Sequence, residues 1–318
     1  MVVTSTAAAL ALMLLSMTCW GSWANTYKLA GNVRFELFYW DYAIGLAVTA
    51  IALAWYSDGS ALLTELGAAS ATTLWEAIAA GVVFNLANLL LVAAIALAGL
   101  AVAFPLGIGT ALVVGTALTF LVDRKGSPGY IILGVALAVL AIVACATAYK
   151  RQAGGLTVTR KGVVICLVSG ILMACWAPLA AASMRGGPGG LSTFGALAVF
   201  SVGALVSTIP FNLYFMRRPL SGEPVSLGDY SKGGARWHVL GWIGGAVWTA
   251  GTTANLVAGH ATGYAVSYAI GQSAPLVASL WGIFVWHEFS PVKGAVVRPL
   301  VAMYVFYTAA ILVLSRAL

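Results

Sequence analysis

Apolar residues run through the chain in ten blocks. Each is about as long as a bilayer-spanning helix and ends in a short stretch holding glycine, proline or a charge. The blocks fall at 6–27, 38–56, 76–97, 101–121, 130–149, 162–183, 191–215, 238–258, 263–285 and 296–315. About 20 apolar residues in a helix cross about 30 Å of hydrocarbon. A spanning segment must satisfy its own backbone hydrogen bonds, so helix is the default. The pattern predicts an all-α membrane protein with ten transmembrane helices. Blocks three and four lie close together, with Gly99 marking a tight turn. The longest connection, 216–237, carries Arg217, Arg218, Pro219, Gly222, Pro224, Gly233 and Gly234 and reads as a loop. The first block is long and has no basic residue before it, which argues against a cleaved signal peptide.

Polar side chains interrupt the pattern, and each needs a reason in hydrocarbon. In helix 1, Thr18, Ser22 and Asn25 recur at i, i+4, i+7 beside an aromatic stripe of Trp20, Trp23 and Tyr27. Asn85 and Asn88 share one face of helix 3. Trp248, Thr252 and Asn255 run i, i+4, i+7 along helix 8, with Thr249 and Thr253 beside them. In helix 9, Tyr264 and Tyr268 precede Gln272, with Pro275 as a kink. Singly, such residues tie helices together or sit in the interfacial belt. As a set, Trp20, Ser22, Trp23, Asn85, Asn88, Trp248, Thr252, Asn255, Tyr268 and Gln272 read as the lining of a cavity. Amides and hydroxyls both donate and accept hydrogen bonds, and aromatic faces stack on flat or sugar-ring ligands. No charged residue falls clearly at mid-membrane, so the expected partner is a small neutral polar solute.

Composition places the chain in the bilayer. Apolar residues without glycine make up 61 % and charged residues 8 %, against about 45–50 % and about 25 % in soluble domains. The net charge is +7, but the sixteen basic residues cluster at block ends without a nucleic-acid-type stripe. One face of the membrane would hold Lys28, Arg34, Lys150, Arg151, Arg160, Lys161, Arg217, Arg218, Lys232, Arg236 and Lys293. The other would hold Arg124, Lys125, Arg185 and Arg316. The positive-inside rule then puts both termini outside the cytoplasm, and the expected location is a bacterial inner membrane. Cys19, Cys145, Cys166 and Cys175 form no CxxC pair and read as reduced packing residues. The three histidines, His238, His260 and His287, are peripheral, so no metal, cofactor or catalytic set is expected. Asp41 is the coupling candidate, with protons as a second cargo. Its alternative is an interfacial charge paired with Lys28 or Arg34.

The chain echoes itself five helices apart. Residues 101–124 align with 265–288 through identities at Ala101/Ala265, Val102/Val266, Gly107/Gly271, Leu112/Leu276, Val113/Val277 and Phe120/Phe284. Cys19-Trp20 pairs with Cys175-Trp176, and Asn88-Leu89 with Asn255-Leu256. An odd offset inverts the second unit, so the expected division is 1–150 and 151–318. Inverted repeats are typical of secondary transporters. Gly107, Ala111 and Gly115 have small-xxx-small spacing, which reads as close helix packing. The Gly-rich stretch at 184–191 lacks a P-loop's Lys-Ser/Thr and reads as a loop.

The chain resembles the ureide permease family of the drug/metabolite transporter superfamily, close to the bacterial glucose/ribose porters. The likeness is carried by "GSW" at 21–23, "WDYAIGLAVTAIALA" at 40–54 and "GVVFNLANL" at 81–89 with Asn88. It continues in "FLVDRK" at 120–125, "GHATGYA" at 259–265 and "PLVASLWGIFVWHE" at 275–288. The resemblance implies two five-helix halves and uptake of ureides, nucleobases or monosaccharides, with proton coupling in plant members. It also implies site roles for Asn88, Thr252 and Asn255. The chain departs from plant members where they carry acidic residues, here Phe104 and Tyr268 or Ala269. Its central loop, 150–161, is also short. The expectation is a secondary transporter, not an enzyme, importing a monosaccharide or a ureide/nucleobase by alternating access, as a monomer. The alternatives are an exporter of drugs or metabolites and, least favoured, an intramembrane enzyme.

Overall fold

The computed structural model describes residues 5–98, 100–152, 159–290 and 293–318. Gly99 and the middle of the central loop lie outside them. Each apolar block is a helix, usually extended by a turn beyond the block. They are α1 (Thr6–Ala30), α2 (Phe35–Asp58), α3 (Ala71–Ala98), α4 (Gly109–Asp123), α5 (Pro128–Gln152), α6 (Arg160–Ser183), α7 (Thr193–Arg217), α8 (Ala235–Thr262), α9 (Tyr264–Val285) and α10 (Lys293–Leu314). Two short helices sit in connections, Ala61–Ala68 and Leu227–Ser231. The second lies in the stretch read as loop. Ser226 and Asp229 close a capping box around it, which satisfies orphan backbone donors at its start.

Among the described residues, nine helices are long and apolar enough to cross a membrane. The remaining long helix, α8, has 28 residues. Its Arg236, His238, His260, Asn255 and many glycines and threonines dilute its apolar character. It nevertheless packs against α1 and α2, with Gly241, Thr249, Thr252 and Asn255 buried and Val239, Trp242 and Ile243 exposed. Apolar composition is needed where a helix faces lipid, and α8 faces protein along much of its length.

Other packed pairs are α3 with α6 and α7, α4 with α6 and α9, α5 with α10, and α2 with α7. Two crossings rest on glycine. At α2/α8, a Cβ on Gly45 would strike the Trp242 backbone, and one on Gly245 would strike the backbone of Tyr42 and Leu46. At α3/α7, Gly81 meets the Phe200 backbone and Gly203 that of Ile78. Absent side chains let the backbones approach, as small-residue interfaces do in membranes.

Three helices are irregular near the bundle centre. α1 is interrupted at Trp23 between Thr6–Ser22 and Ala24–Ala30. α4 is entered through a π-turn at Phe104–Ile108. α9 is broken at Gln272–Ser273, between Tyr264–Gly271 and Ala274–Leu280, and ends in a second π-turn at Trp281–Val285. Pro275, at the start of the second piece of α9, has no N–H and disfavours an unbroken helix through the preceding turn.

Candidate solute cavity

The interruptions converge on a cavity of about 120 Å³. Trp20 and Trp23 from α1, Phe84 and Asn88 from α3, Ser169, Met173 and Trp176 from α6, Trp248 from α8 and Gln272 from α9 line it. Gly107 and Ile108, at the π-turn before α4, complete the wall. No described lining residue is charged.

Aromatic rings build the cavity's far wall. Trp248 stacks on Phe84 with centroids 4.1 Å apart. Trp20 lies 6.3 Å from Trp248, nearly parallel, and meets Trp176 edge-on at 5.9 Å. Phe200 backs both Trp176 and Trp248. Offset and edge-to-face geometry is the favourable arrangement for such rings. The Trp20 indole N–H donates to Thr252 Oγ1 at 3.1 Å, and Thr252 donates to the Trp248 carbonyl. Gly271 presses on the Trp20 ring from α9, where a Cβ would come within 2.7 Å.

Of the ten residues grouped from the sequence, Trp20, Trp23, Asn88, Trp248 and Gln272 line the cavity. The other five stand behind it. Thr252 holds Trp20. Ser22 accepts from Trp281 Nε1 at 2.9 Å. Asn85 accepts from Tyr39 and Thr208 and donates to Ser207, which ties α3 to α2 and α7. Asn255 donates to the Ser267 carbonyl and to Ser16 Oγ, joining α8 to α9 and α1. Tyr268 donates to the carbonyls of Ala111 and Met173, two residues of the cavity lining. Its ring lies against Gly115, so the small-residue stripe of α4 makes room for it. Asn88, by contrast, has one long bond of 3.4 Å to Tyr39 Oη and faces the cavity with spare capacity. Phe84, Ser169, Met173 and Trp176 also line the cavity and lie outside that group of ten. Trp176 had a signal in the Cys-Trp echo, and the others had none.

The two ends of the bundle differ. A second cavity of about 240 Å³ shares Trp20, Trp23, Leu91, Ile108 and Ala274 with the first and runs out to Asn25, Lys28, Trp286 and Glu288. At its mouth, Lys28 pairs with Glu288 and lies 4.4 Å from the Trp286 ring centroid. Trp286 in turn donates to Asn25 Oδ1. At the opposite end, Asp123 accepts from the Tyr264 backbone N–H at 2.7 Å, and Lys125 donates to the His260 carbonyl. A larger groove of about 720 Å³ lies between α4 and α5. Leu121, Ile132 and Leu140 wall it and are exposed on the outer surface, so it suits acyl chains rather than a polar solute.

Asp41 lies away from the cavity, between α2 and α8. Its carboxylate accepts from Tyr230, Trp242 and His238. Neither Lys28 nor Arg34 is its partner. Lys28 is on Glu288, and Arg34 is on Glu36 and the carbonyls of Ser221 and Glu223. Among the described residues, no cluster of three metal-binding side chains occurs.

No curated protein matches the chain. A solved crystal structure superposes on it with a TM-score of 0.68, covering 97 % of this chain and 96 % of that one at 17 % identity. That likeness establishes a shared fold. The family model described as ureide permease matches residues 155–317. The matched stretch supplies Ser169, Trp176, Trp248 and Gln272 to the cavity. With its multiple apolar spans, the chain is a multi-pass membrane protein and belongs to the ureide permease family.

Proposed function

We propose that the chain is a secondary transporter that imports a small neutral polar solute by alternating access through the aromatic cavity. One observation carries this reading. The cavity joins stacked indoles to Asn88, Ser169 and Gln272, with no charge among its described lining residues. Flat amide-bearing rings of the ureide or nucleobase type, or a monosaccharide, match that lining, because aromatic faces stack and amides both donate and accept.

Two inverted five-helix halves, 1–150 and 151–318, underlie the mechanism in this reading, and α8 is its tenth span. Helix packing supports the halves. Exchanging each helix for the one five places away turns the α3/α6 contact into α8/α1 and the α3/α7 contact into α8/α2. It leaves α5/α10, α4/α9 and α2/α7 unchanged. Trp20 and Trp176, from the two Cys-Trp pairs, meet at the centre as two-fold partners would. A midplane site between repeats is the arrangement expected of such transporters. By the excess of Lys and Arg, the face bearing Lys28 and Glu288 is cytoplasmic and both termini are outside. The second cavity is then the inward path.

A thermal-shift panel on the purified protein tests the reading, using allantoin, uracil, monosaccharides and quaternary amines. A ligand of the folded state raises stability with its concentration. The expected result is a shift with one of the neutral solutes, lost in Trp20→Ala and Asn88→Ala. A shift with quaternary amines alone would overturn it.

A further inference from the structure

Asp41 sits in the second turn of α2 with its side chain 3 % exposed. Keeping a carboxylate so deep in an apolar bundle is costly, and a buried ion pair is weak evidence for stability on its own. Its three donors are unequal. Tyr230 Oη at 2.9 Å and Trp242 Nε1 at 3.0 Å both reach Oδ1. His238 Nδ1 lies 2.7 Å from Oδ2. Burial, reinforced by the hydrogen bond and charge of Asp41, pushes the Tyr230 phenol up to about 12, so it remains a neutral donor. Indole N–H is a donor only. The imidazole is the partner whose ring nitrogens can either accept or donate a proton.

Other charges around the pair are engaged elsewhere. On α2, Glu36 is held by Arg34. On the short helix, Asp229 turns to Ser226 and Lys232. On α8, Arg236 is exposed, and from α1, Lys28 is on Glu288. α7 presents the neutral Asn212, whose amide donates to the Glu36 carbonyl.

We propose that Asp41 and His238 form a proton-binding pair that couples proton entry to movement of α8 against α2. This rests on the transporter reading and adds the coupling site to it. His238 is 26 % exposed, whereas Asp41 is enclosed, so the imidazole is the portal. A proton from water binds the pair and is shared between Nδ1 and Oδ2, which adds one positive charge. The reverse transfer returns the proton to water. No other reactant is needed.

The pair is placed to act on the cavity through both helices. On α2, Tyr42 packs its ring 4.9 Å from that of Trp23, and Tyr39 bonds to Asn85 and Asn88. On α8, the helix that carries His238 and Trp242 also carries Trp248 and Thr252. The α2/α8 crossing at Gly45 and Gly245 has backbone against backbone. A displacement there moves cavity walls on both sides.

The test uses the full chain in two arms. In proteoliposomes with a pH gradient, labelled allantoin, uracil and glucose are followed for accumulation and for gradient-free counterflow. Wild type should accumulate one of them. Asp41→Asn and His238→Gln should keep counterflow within about threefold and lose gradient-driven accumulation. Accumulation retained by both variants overturns the proposal. The second arm needs no solute. Tryptophan emission of the unliganded protein is titrated with pH, with Trp242→Phe identifying the reporter. A step present in wild type and absent in Asp41→Asn and His238→Gln supports the pair. A flat wild-type trace, or an equal step in the variants, overturns it. If none of the three solutes exchanges in wild type, the solute assignment fails and the emission titration decides the proton site separately.

Discussion

The indole N–H of Trp20 on α1 donates to Thr252 Oγ1 on α8 at 3.1 Å, across 232 residues of chain. That bond fixes the angle of a ring whose neighbours, Trp176 and Trp248, are aromatic. A small polar residue that looked like part of the lining instead aims the lining. Thr252→Val keeps the shape and removes the acceptor. The fold should persist, and solute affinity should fall by roughly five- to tenfold, since a hydrogen bond of this kind is worth about 1 kcal/mol. Ligand-induced thermal shifts measured over a concentration series check this.

The two asparagines of α3 should separate by phenotype. Asn85 is held by three bonds, to Tyr39, Ser207 and Thr208, so Asn85→Ala leaves buried partners unmade. It should cost about 1–3 kcal/mol of stability. Asn88→Ala loses only a 3.4 Å contact. It should leave the melting temperature of the unliganded protein nearly unchanged while removing the ligand response. Melting curves of both variants, with and without solute, make the comparison.

The Lys28–Glu288 pair at the mouth should behave as a part-exposed ion pair. Its side chains are 43 % and 25 % exposed, which limits the pair to at most about 1 kcal/mol. Lys28→Glu and Glu288→Lys should each lower stability slightly, and the double swap should recover only part. The geometry over Trp286 favours a cation at position 28, and the swap puts an anion there. A double-mutant cycle on thermal stability measures the recovery.

Acid should loosen the Leu227–Ser231 helix first. Hydrogen bonds from the Ser226 side chain and backbone, helped by Lys232, hold the Asp229 carboxyl below its ordinary range. A depressed carboxylate contributes stability above its unfolded value, and that contribution is lost as pH falls through the folded one. Amide exchange at 226–231 should therefore accelerate below about pH 4, and Asp229→Asn should show the faster rate at neutral pH. Tyr230, carried on this helix, would lose its hold on Asp41 in the same range.

The helices were legible because the bilayer imposes a length and an apolarity that composition reveals directly. The short helix at Leu227–Ser231 was hidden by Gly and Pro on either side, although Ser226 and Asp229 hold the capping-box spacing. The site was half legible. Periodicity says which residues share a helix face, but not which neighbour that face meets. Asn85 and Asn88 share a face, yet one reaches Tyr39, Ser207 and Thr208 and the other the cavity. Position in a block also hid the partners of Asp41. His238 looked peripheral and Tyr230 looked like loop. The two come together at Asp41 because α8 crosses α2 on glycine.

The break at Gln272–Ser273 divides α9 into two levers on one fulcrum. The first begins at Tyr264, latched to Asp123, and the second ends beside Glu288, latched to Lys28. Across the break Gln272 keeps its bond to the Tyr268 carbonyl, but Ser273 and Leu276 make only short turn bonds, to Ile270 and Ser273, and Pro275 can add none. Bending there sacrifices fewer hydrogen bonds than bending a regular stretch would. In the proposed transporter each end of the bundle would be unlatched while the other stays shut, with Gln272 at the pivot and in the cavity wall at once.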